Sequence, residues 1–233
     1  MRTKIIAVVN QKGGCGKTTI TMQLAGTLGR RGQRVLVVDA DSQGSATRWA
    51  ASAQDGEKFP ATVAGLAAAG ARLHREVEKY VDVYDVILID CPPGMDSLIP
   101  QSALLIADLA LVPVIRSPLD LWSSSGIAQL IEHARVVNED LQVLLVLNQW
   151  QANRVLAKDS AEVVKTFGMP VANQYVADRE IYRQCSMYGQ TVHEMGPRAT
   201  AAVREIETLM NEIVAMLEPH AVELADMSTG KEA

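Results

Sequence analysis

Aromatic side chains are scarce in this 233-residue sequence: three tryptophans, five tyrosines and two phenylalanines, 4% of the whole. Whatever core the chain builds must therefore be aliphatic. Cysteine is rarer still. Cys15, Cys91 and Cys185 are odd in number and widely spaced, with no C-x-x-C among them, so a disulfide framework is not expected and free thiols in a reducing cytoplasm are. His74, His133, His193 and His220 show no H-x-x-x-H spacing, which leaves them as surface side chains rather than metal ligands. No apolar run approaches the roughly 18 residues of a membrane span. The first residues lack the pattern of a secretory signal, and a cytoplasmic location is the expectation. A global excess of positive charge is missing too. The net charge is −5, so attraction to DNA or to anionic lipid would have to come from a local patch.

What is present points to an ordinary α/β chain. Apolar residues make up 48% and charged residues 21%, and the length suits one domain. Such a chain buries roughly three-quarters of its unfolded surface. Short apolar runs alternate with longer stretches of helical period, the pattern of a mostly parallel sheet with helices on both faces. Strands are expected near Lys4–Asn10, Arg34–Asp39, Asp85–Asp90, Leu109–Val114, Val143–Asn148 and Val171–Val176. A helix from Thr18 should stop at Arg31-Gly32, and another at Gly168 ahead of Pro170, glycine being favoured just past a helix end. Asp120 and Asp159 suit N-terminal caps. The Ala/Gly-rich region Gln54–Tyr80 reads as one or two short helices, and a closing helix should follow the break at Gly196-Pro197 and run to Leu217. There is no internal repeat and no linker that would divide the chain.

The most informative stretch is Asn10-Gln11-Lys12-Gly13-Gly14-Cys15-Gly16-Lys17-Thr18-Thr19, entered from the apolar run Ile5–Val9 and left by a helix. Strand, glycine turn and helix N-terminus together make a cradle for phosphate, because the backbone N–H groups and the helix dipole all favour an anion. Lys17 would reach the β- and γ-phosphates of a nucleotide and the Thr18 hydroxyl would ligate Mg²⁺. Gly13, Gly14, Cys15, Gly16 and Thr19 complete the nucleotide-binding set. Gln11 stands where the common phosphate loop has its first glycine, and a second lysine, Lys12, precedes the glycine pair.

With that second lysine, K-G-G-C-G-K-T-T resembles the deviant Walker A motif of the ParA/MinD ATPases. The resemblance covers nearly the whole chain and is strongest over residues 4–44 and 84–121. It implies a three-layer α/β fold, a mostly parallel twisted sheet flanked by helices, with residues 1–218 as a single P-loop ATPase domain; the composition of 219–233 reads as a polar tail, expected to be flexible. The resemblance also implies that Lys12 crosses a homodimer interface to the partner's nucleotide, the cofactors being ATP and Mg²⁺.

Further motifs follow in order. Asp39-Ala40-Asp41-Ser42-Gln43-Gly44 ends the second apolar run with two carboxylates, placed where ligands gather in open α/β sheets. It resembles the family's D-x-D-P-Q-G, with Ser42 in place of proline. By that likeness Asp41 orients the attacking water and Asp39 supports Mg²⁺. Val86–Asp90 is a Walker B pattern whose aspartate can hold Mg²⁺, and Cys91-Pro92-Pro93-Gly94 matches the family's switch II segment. By spacing alone Asp90 could equally be a turn residue. Asn148, at a strand end, resembles the adenine-contacting position, though asparagine is also a common turn former. Pro113-Val114-Ile115-Arg116-Ser117-Pro118-Leu119-Asp120-Leu121 is similar to a segment that helps build the family's dimer face, with Arg116 in place of proline. Cys91 beside Asp90 raises an iron–sulfur bridge of the nitrogenase-reductase kind, but one cysteine per subunit is too few. Catalysis would need no covalent nucleophile. Positioning and charge neutralisation by Lys12, Lys17 and Mg²⁺, with Asp41 placing the water, would suffice.

Three function classes fit such a chain. The first is a ParA-type ATPase that binds nucleoid DNA non-specifically as an ATP dimer and positions a plasmid or protein cargo, stimulated by a ParB-like or cargo-adaptor protein. The second is a MinD-type membrane ATPase, disfavoured by the acidic, proline-interrupted stretch Met216–Asp226, since membrane-surface helices are rich in Lys and Arg. The third is a metabolic P-loop enzyme, for which Lys12 has no role. No helix-turn-helix precedes Lys4, so operator-specific repression is not expected. The DNA-contact candidates are Lys158, Lys165, Arg179, Arg183, Arg198 and Arg204. Between Arg154 and Leu217 seven basic residues meet eight acidic ones, so only folding could gather them into a face.

Overall fold

The computed structural model describes residues 2–54, 57–94, 97–115, 118–151 and 168–218, and of residues 118–125 the backbone alone. The strands are β1 (Lys4–Val8), β2 (Val35–Asp39), β3 (Thr62–Gly65), β4 (Val86–Asp90), β5 (Leu109–Val114) and β6 (Gln142–Leu147). They form one six-stranded sheet in the order β3-β2-β4-β1-β5-β6, every pairing parallel. The described helices are α1 (Lys17–Arg30), α2 (Ser45–Ala51), α3 (Leu73–Glu78), α4 (Leu98–Leu104), α5 (Pro118–Arg135), α6 (Glu180–Tyr188) and α7 (Thr200–Leu217).

Continuous apolar runs become central strands here because both faces of the sheet are covered. Successive side chains point to opposite faces, and along β1 they enter two different cores. Ile6 and Val8 join α1, α2, α6 and α7 in one, through residues such as Ile20, Trp49, Ile181 and Ile206. Ile5 and Ala7 join α3, α4 and α5 in the other, through Leu73, Ala103 and Ile127. α7 shows how period selects a face: Ala202, Glu205, Ile206, Leu209, Met210, Ile213 and Leu217 are the buried set, one stripe at helical spacing. Glu205 is the charged member of that stripe. Both its oxygens accept from the Arg179 guanidinium, and Oε2 also accepts from Tyr182 OH and Ala177 N–H. This ties the segment after β6 and α6 to α7.

Five of the six expected strands are present. Val171–Val176 is not a strand but an extended segment joined to the edge of the sheet by isolated bridges at Val171 and Ala177. The pairing fails between them because Glu212 of α7 takes the N–H groups of Asn173 and Gln174, each at 2.8 Å. The sixth strand is β3, in the region expected to be helical. It is a four-residue edge strand beside β2, followed by a 3₁₀ turn (Ala67–Arg72) and α3. Asp120 is not a cap: α5 already begins at Pro118, whose fixed φ and missing N–H suit the first helical position. α1 ends at Arg30 with Gly32 at φ +84°, as expected. Asp159 and the helix expected before Gly168 lie outside the described residues, as does the tail from 219 onward.

Candidate functional site

The C-terminal ends of β1, β2 and β4 meet at one place. Asp39 and Asp90 are register partners on adjacent strands, and Val8, whose strand runs into the glycine loop, pairs with Asp90 from the other side. Three motifs far apart in sequence thus converge on a cavity of ≈ 620 Å³, lined on one side by Gly13, Gly14, Gly16, Lys17, Thr18 and Thr19, and by Asp41 and Pro93. Its size is that of an ordinary small-molecule site.

The loop is tied down at each point. Asn10 accepts from Lys12 N–H at 3.0 Å and donates to the Pro113 carbonyl at 2.6 Å. The Gln11 carbonyl accepts from Gly94 N–H at 2.9 Å, which joins the loop's start to the switch II turn. Lys17 Nζ donates to the Lys12 carbonyl at 3.1 Å. Asn148 Nδ2 donates to Cys15 O at 2.8 Å and Gln149 Nε2 to Gly14 O at 3.0 Å. These bonds occupy carbonyl oxygens that would otherwise repel an anion, and α1 carries no acidic residue in its first turn. Gly16 has no substitute: its φ is +88° and a Cβ there would lie 2.0 Å from Asn148 Nδ2. Cys15 is fully buried, with its thiol pushed up by desolvation. Cys91 is likewise buried and raised, and Cys185 is held up at about 11 by burial. Packing is what all three thiols do.

The acidic residues divide by exposure. Asp41 is half-buried on the cavity wall, where Oδ1 accepts from Gln43 N–H and its carbonyl from Gly44 N–H, each at 2.9 Å. Asp39 and Asp90 are each 1% exposed. Thr18 Oγ1 donates to Asp90 Oδ2 at 2.6 Å, and Thr47 N–H to Asp39 Oδ2 at 2.7 Å. The second oxygen of each carboxylate, Oδ1 in both, has no hydrogen-bond partner. Buried charges left in this state are costly. Burial above all, with the Asp39 charge adding, pushes the Asp90 carboxyl up to about 7, against the pull of the Thr18 hydroxyl. A hard divalent cation answers the deficit, since Mg²⁺ takes one or two carboxylates and completes its shell with water and phosphate oxygens. The donor set of Thr18, Asp39 and Asp90 fits that ion. No cluster of three or more His, Cys, Asp or Glu exists among the described residues to suit another kind of metal site.

The fold therefore brings together the glycine loop, Lys17, Thr18, Thr19, Asp39, Asp41 and Asp90. Lys12 is adjacent but does not line its own chain's cavity. Asn148 faces the loop rather than the cavity. Of the DNA-contact candidates, Arg179 is engaged by Glu205, Arg183 pairs with Asp178 at 3.3 Å, Arg198 Nε donates to Met195 O, and Arg204 is exposed. Lys158, Lys165 and Arg116 lie outside the described residues. Sequence reasoning missed Asn10, Gln149, and the opposite wall of Ser45, Arg48, Trp49, Ser52 and Ser186. Gln149 has φ +53°, a conformation that its residue type does not announce.

The chain is similar to known proteins in sequence and in fold. The model of the CobQ/CobB/MinD/ParA nucleotide binding domain matches residues 6–192. Maintenance of carboxysome distribution protein A of Halothiobacillus neapolitanus is 34% identical over 209 residues, which is 90% of this chain and 95% of that protein. Sporulation initiation inhibitor protein Soj of Bacillus subtilis is 29% identical over 242 residues, 85% of this chain and 94% of that one. Among solved structures, the septum site-determining protein MinD of Pyrococcus horikoshii, complexed with Mg-ADP, superposes with a TM-score of 0.72. Its sequence is 22% identical, over 91% of this chain and 96% of that one, a likeness of fold.

Proposed function

The chain belongs to the CobQ/CobB/MinD/ParA nucleotide-binding family and is an ATPase of the ParA positioning and partition type; from that premise we propose that it works as an ATP-dependent homodimer. Two copies enclose two Mg·ATP, bind nucleoid DNA without sequence preference, and position a cargo that an adaptor protein releases by stimulating hydrolysis. The observation that carries this reading is the second lysine. Lys12 stands next to the phosphate loop yet does not line its own cavity, which suits a residue that acts on the partner's nucleotide.

In this reading Lys17 and the loop's N–H groups hold the phosphates, Thr18, Asp39 and Asp90 hold Mg²⁺, and Asp41 orients the water. Bound Mg²⁺ supplies charge neutralisation at the phosphate oxygens. Asn148 and Gln149 keep the loop in shape. The relative from Halothiobacillus is named for carboxysome distribution, so a large protein body is a cargo to test beside a plasmid. Arg204 and Arg198 are better placed than Arg179 to meet DNA phosphates, since Glu205 already neutralises Arg179.

Lys12→Ala is the test. The wild-type protein should dimerise with a non-hydrolysable ATP analogue and retain DNA only then, with retention falling steeply as salt rises. The variant should do neither and should hydrolyse no ATP. A variant that turns over ATP at the wild-type rate, or a wild-type chain that stays monomeric with the analogue, would defeat the dimer reading.

A further inference from the structure

The wall of the cavity opposite the glycine loop is built by α2. Ser45, Arg48, Trp49 and Ser52 are spaced i, i+3, i+4 and i+7 and all line the cleft, with Ser186 of α6 beside them. One helix face is thus turned inward. This face is held firmly. The Trp49 indole N–H donates to the Gln190 carbonyl at 3.0 Å, and Trp49 is 5% exposed. At the helix's other end Gly189, at φ +62°, presses so close that a Cβ there would sit 2.1 Å from the Ala53 nitrogen.

On that fixed wall Arg48 is the odd residue. Its guanidinium makes no hydrogen bond or ion pair with any described residue. It also does not trail away along the helix. A Cβ added to Gly44 would lie 3.9 Å from Arg48 Nη1, so the charged head folds back one turn, over the residue that closes the Asp41–Gly44 turn. The cationic head and the Asp41 carboxylate therefore stand at the same end of the cleft without pairing. Charge explains why a cation belongs there. Among the described residues on or beneath the cavity, Asp39, Asp41 and Asp90 face Lys17 and Arg48. Of the carboxylates only Asp41 lines the cleft itself, and Lys17 and Arg48 are the two cations of this chain that line it with Asp41. A planar guanidinium is also the side chain best matched to phosphate oxygens.

We propose that Arg48 contacts the terminal phosphate of ATP from within the same chain, so that the α2 wall distinguishes ATP from ADP. The assignment rests on the nucleotide reading of the cavity and on Asp41 marking the end where hydrolysis takes place. It makes Arg48 a specificity-determining residue of the site, distinct from Lys12, which acts across the dimer.

Calorimetric titration of the full chain with Mg²⁺ and either ADP or a non-hydrolysable ATP analogue tests it, on wild type, Arg48→Ala, Arg48→Lys and Lys17→Ala. Arg48→Ala should weaken the ATP analogue about tenfold and ADP no more than about twofold, the loss expected for one hydrogen bond to a charged group. Arg48→Lys should recover part of the loss as a point charge without the fork. Arg48 is exposed and has no ion pair among the described residues, so melting temperatures should not move. Equal weakening of both nucleotides, or none, overturns the proposal. Lys17→Ala separates the two claims. If it loses both nucleotides while Arg48→Ala matches wild type, Arg48 alone is wrong; if wild type binds neither nucleotide, the reading of the cavity falls and Arg48 with it.

Discussion

Glu205 and the pair Asp39/Asp90 are all buried carboxylates, yet the fold treats them in opposite ways. Glu205, 7% exposed, has both oxygens engaged by Arg179, Tyr182 and the backbone of Ala177. Asp39 and Asp90, 1% exposed, lie side by side on adjacent strands and each keeps one oxygen without a partner. A buried charge whose partners come from its own chain is architecture. One whose partners are missing marks where something from outside must arrive. Burial alone does not separate the two cases; counting the acceptors does.

The sharpest way to break that contrast is to remove Glu205. Glu205→Ala leaves the Arg179 guanidinium and the Tyr182 hydroxyl without their acceptor and should cost about 3 kcal/mol, the low end for a broken buried pair because Arg179 is partly exposed. Urea unfolding would read it. Asp90→Asn should act in the other direction. It keeps the acceptor for Thr18 and removes a buried charge that the Thr18 hydroxyl and Lys17 offset only in part. The Asp90 carboxyl stands at about 7, above the ordinary 3.8, so folding favours its protonated form. Its penalty is therefore absent below about pH 4, grows as pH rises and is complete above about pH 7. Without nucleotide or Mg²⁺, Asp90→Asn should melt above wild type at pH 8, with the advantage shrinking toward pH 5. It should also lose Mg²⁺-dependent nucleotide binding. A melt at pH 8 below that of wild type would remove the contrast.

A third, exposed pair sets the baseline. Arg34 grips Asp85 through three contacts on the protein's surface and, chiefly by that hydrogen bonding, holds its carboxyl at about 2. A depressed carboxylate contributes stability above its unfolded value that is lost as pH falls toward 2. Solvent screens an exposed pair, however. Arg34→Ala should lower the melting temperature at pH 7 only slightly, because the pair is exposed, and that small difference from wild type should disappear as pH falls from 4 toward 2, as followed by circular dichroism.

Much of this was legible in the chain itself. β1, β2, β4, β5 and β6 announce themselves because strands buried on both faces must be continuously apolar. The phosphate loop is legible because its parts are contiguous and its glycines have a backbone reason. β3 was hidden because an edge strand, exposed on one side and made of Thr62-Val63-Ala64-Gly65, carries no such run. Val171–Val176 misled for the converse reason: it has a strand's composition, and what denies it a ladder is Glu212, some forty residues on. Asp120 misled because Pro118 had a stronger claim to the helix start.

The sequence by itself determined the sheet's central strands, the glycine loop and the identities of Lys12, Lys17, Thr18, Asp39, Asp41 and Asp90, since each depends on neighbours within a few positions. Only the tertiary structure decided which polar groups are answered. It set Glu205 against Arg179, left one oxygen of Asp39 and one of Asp90 open, turned Asn148 and Gln149 onto the loop, and brought the face of α2 with Arg48 across from it. Those outcomes rest on contacts between residues far apart along the chain, and a buried charge becomes structure or site according to what the fold places beside it.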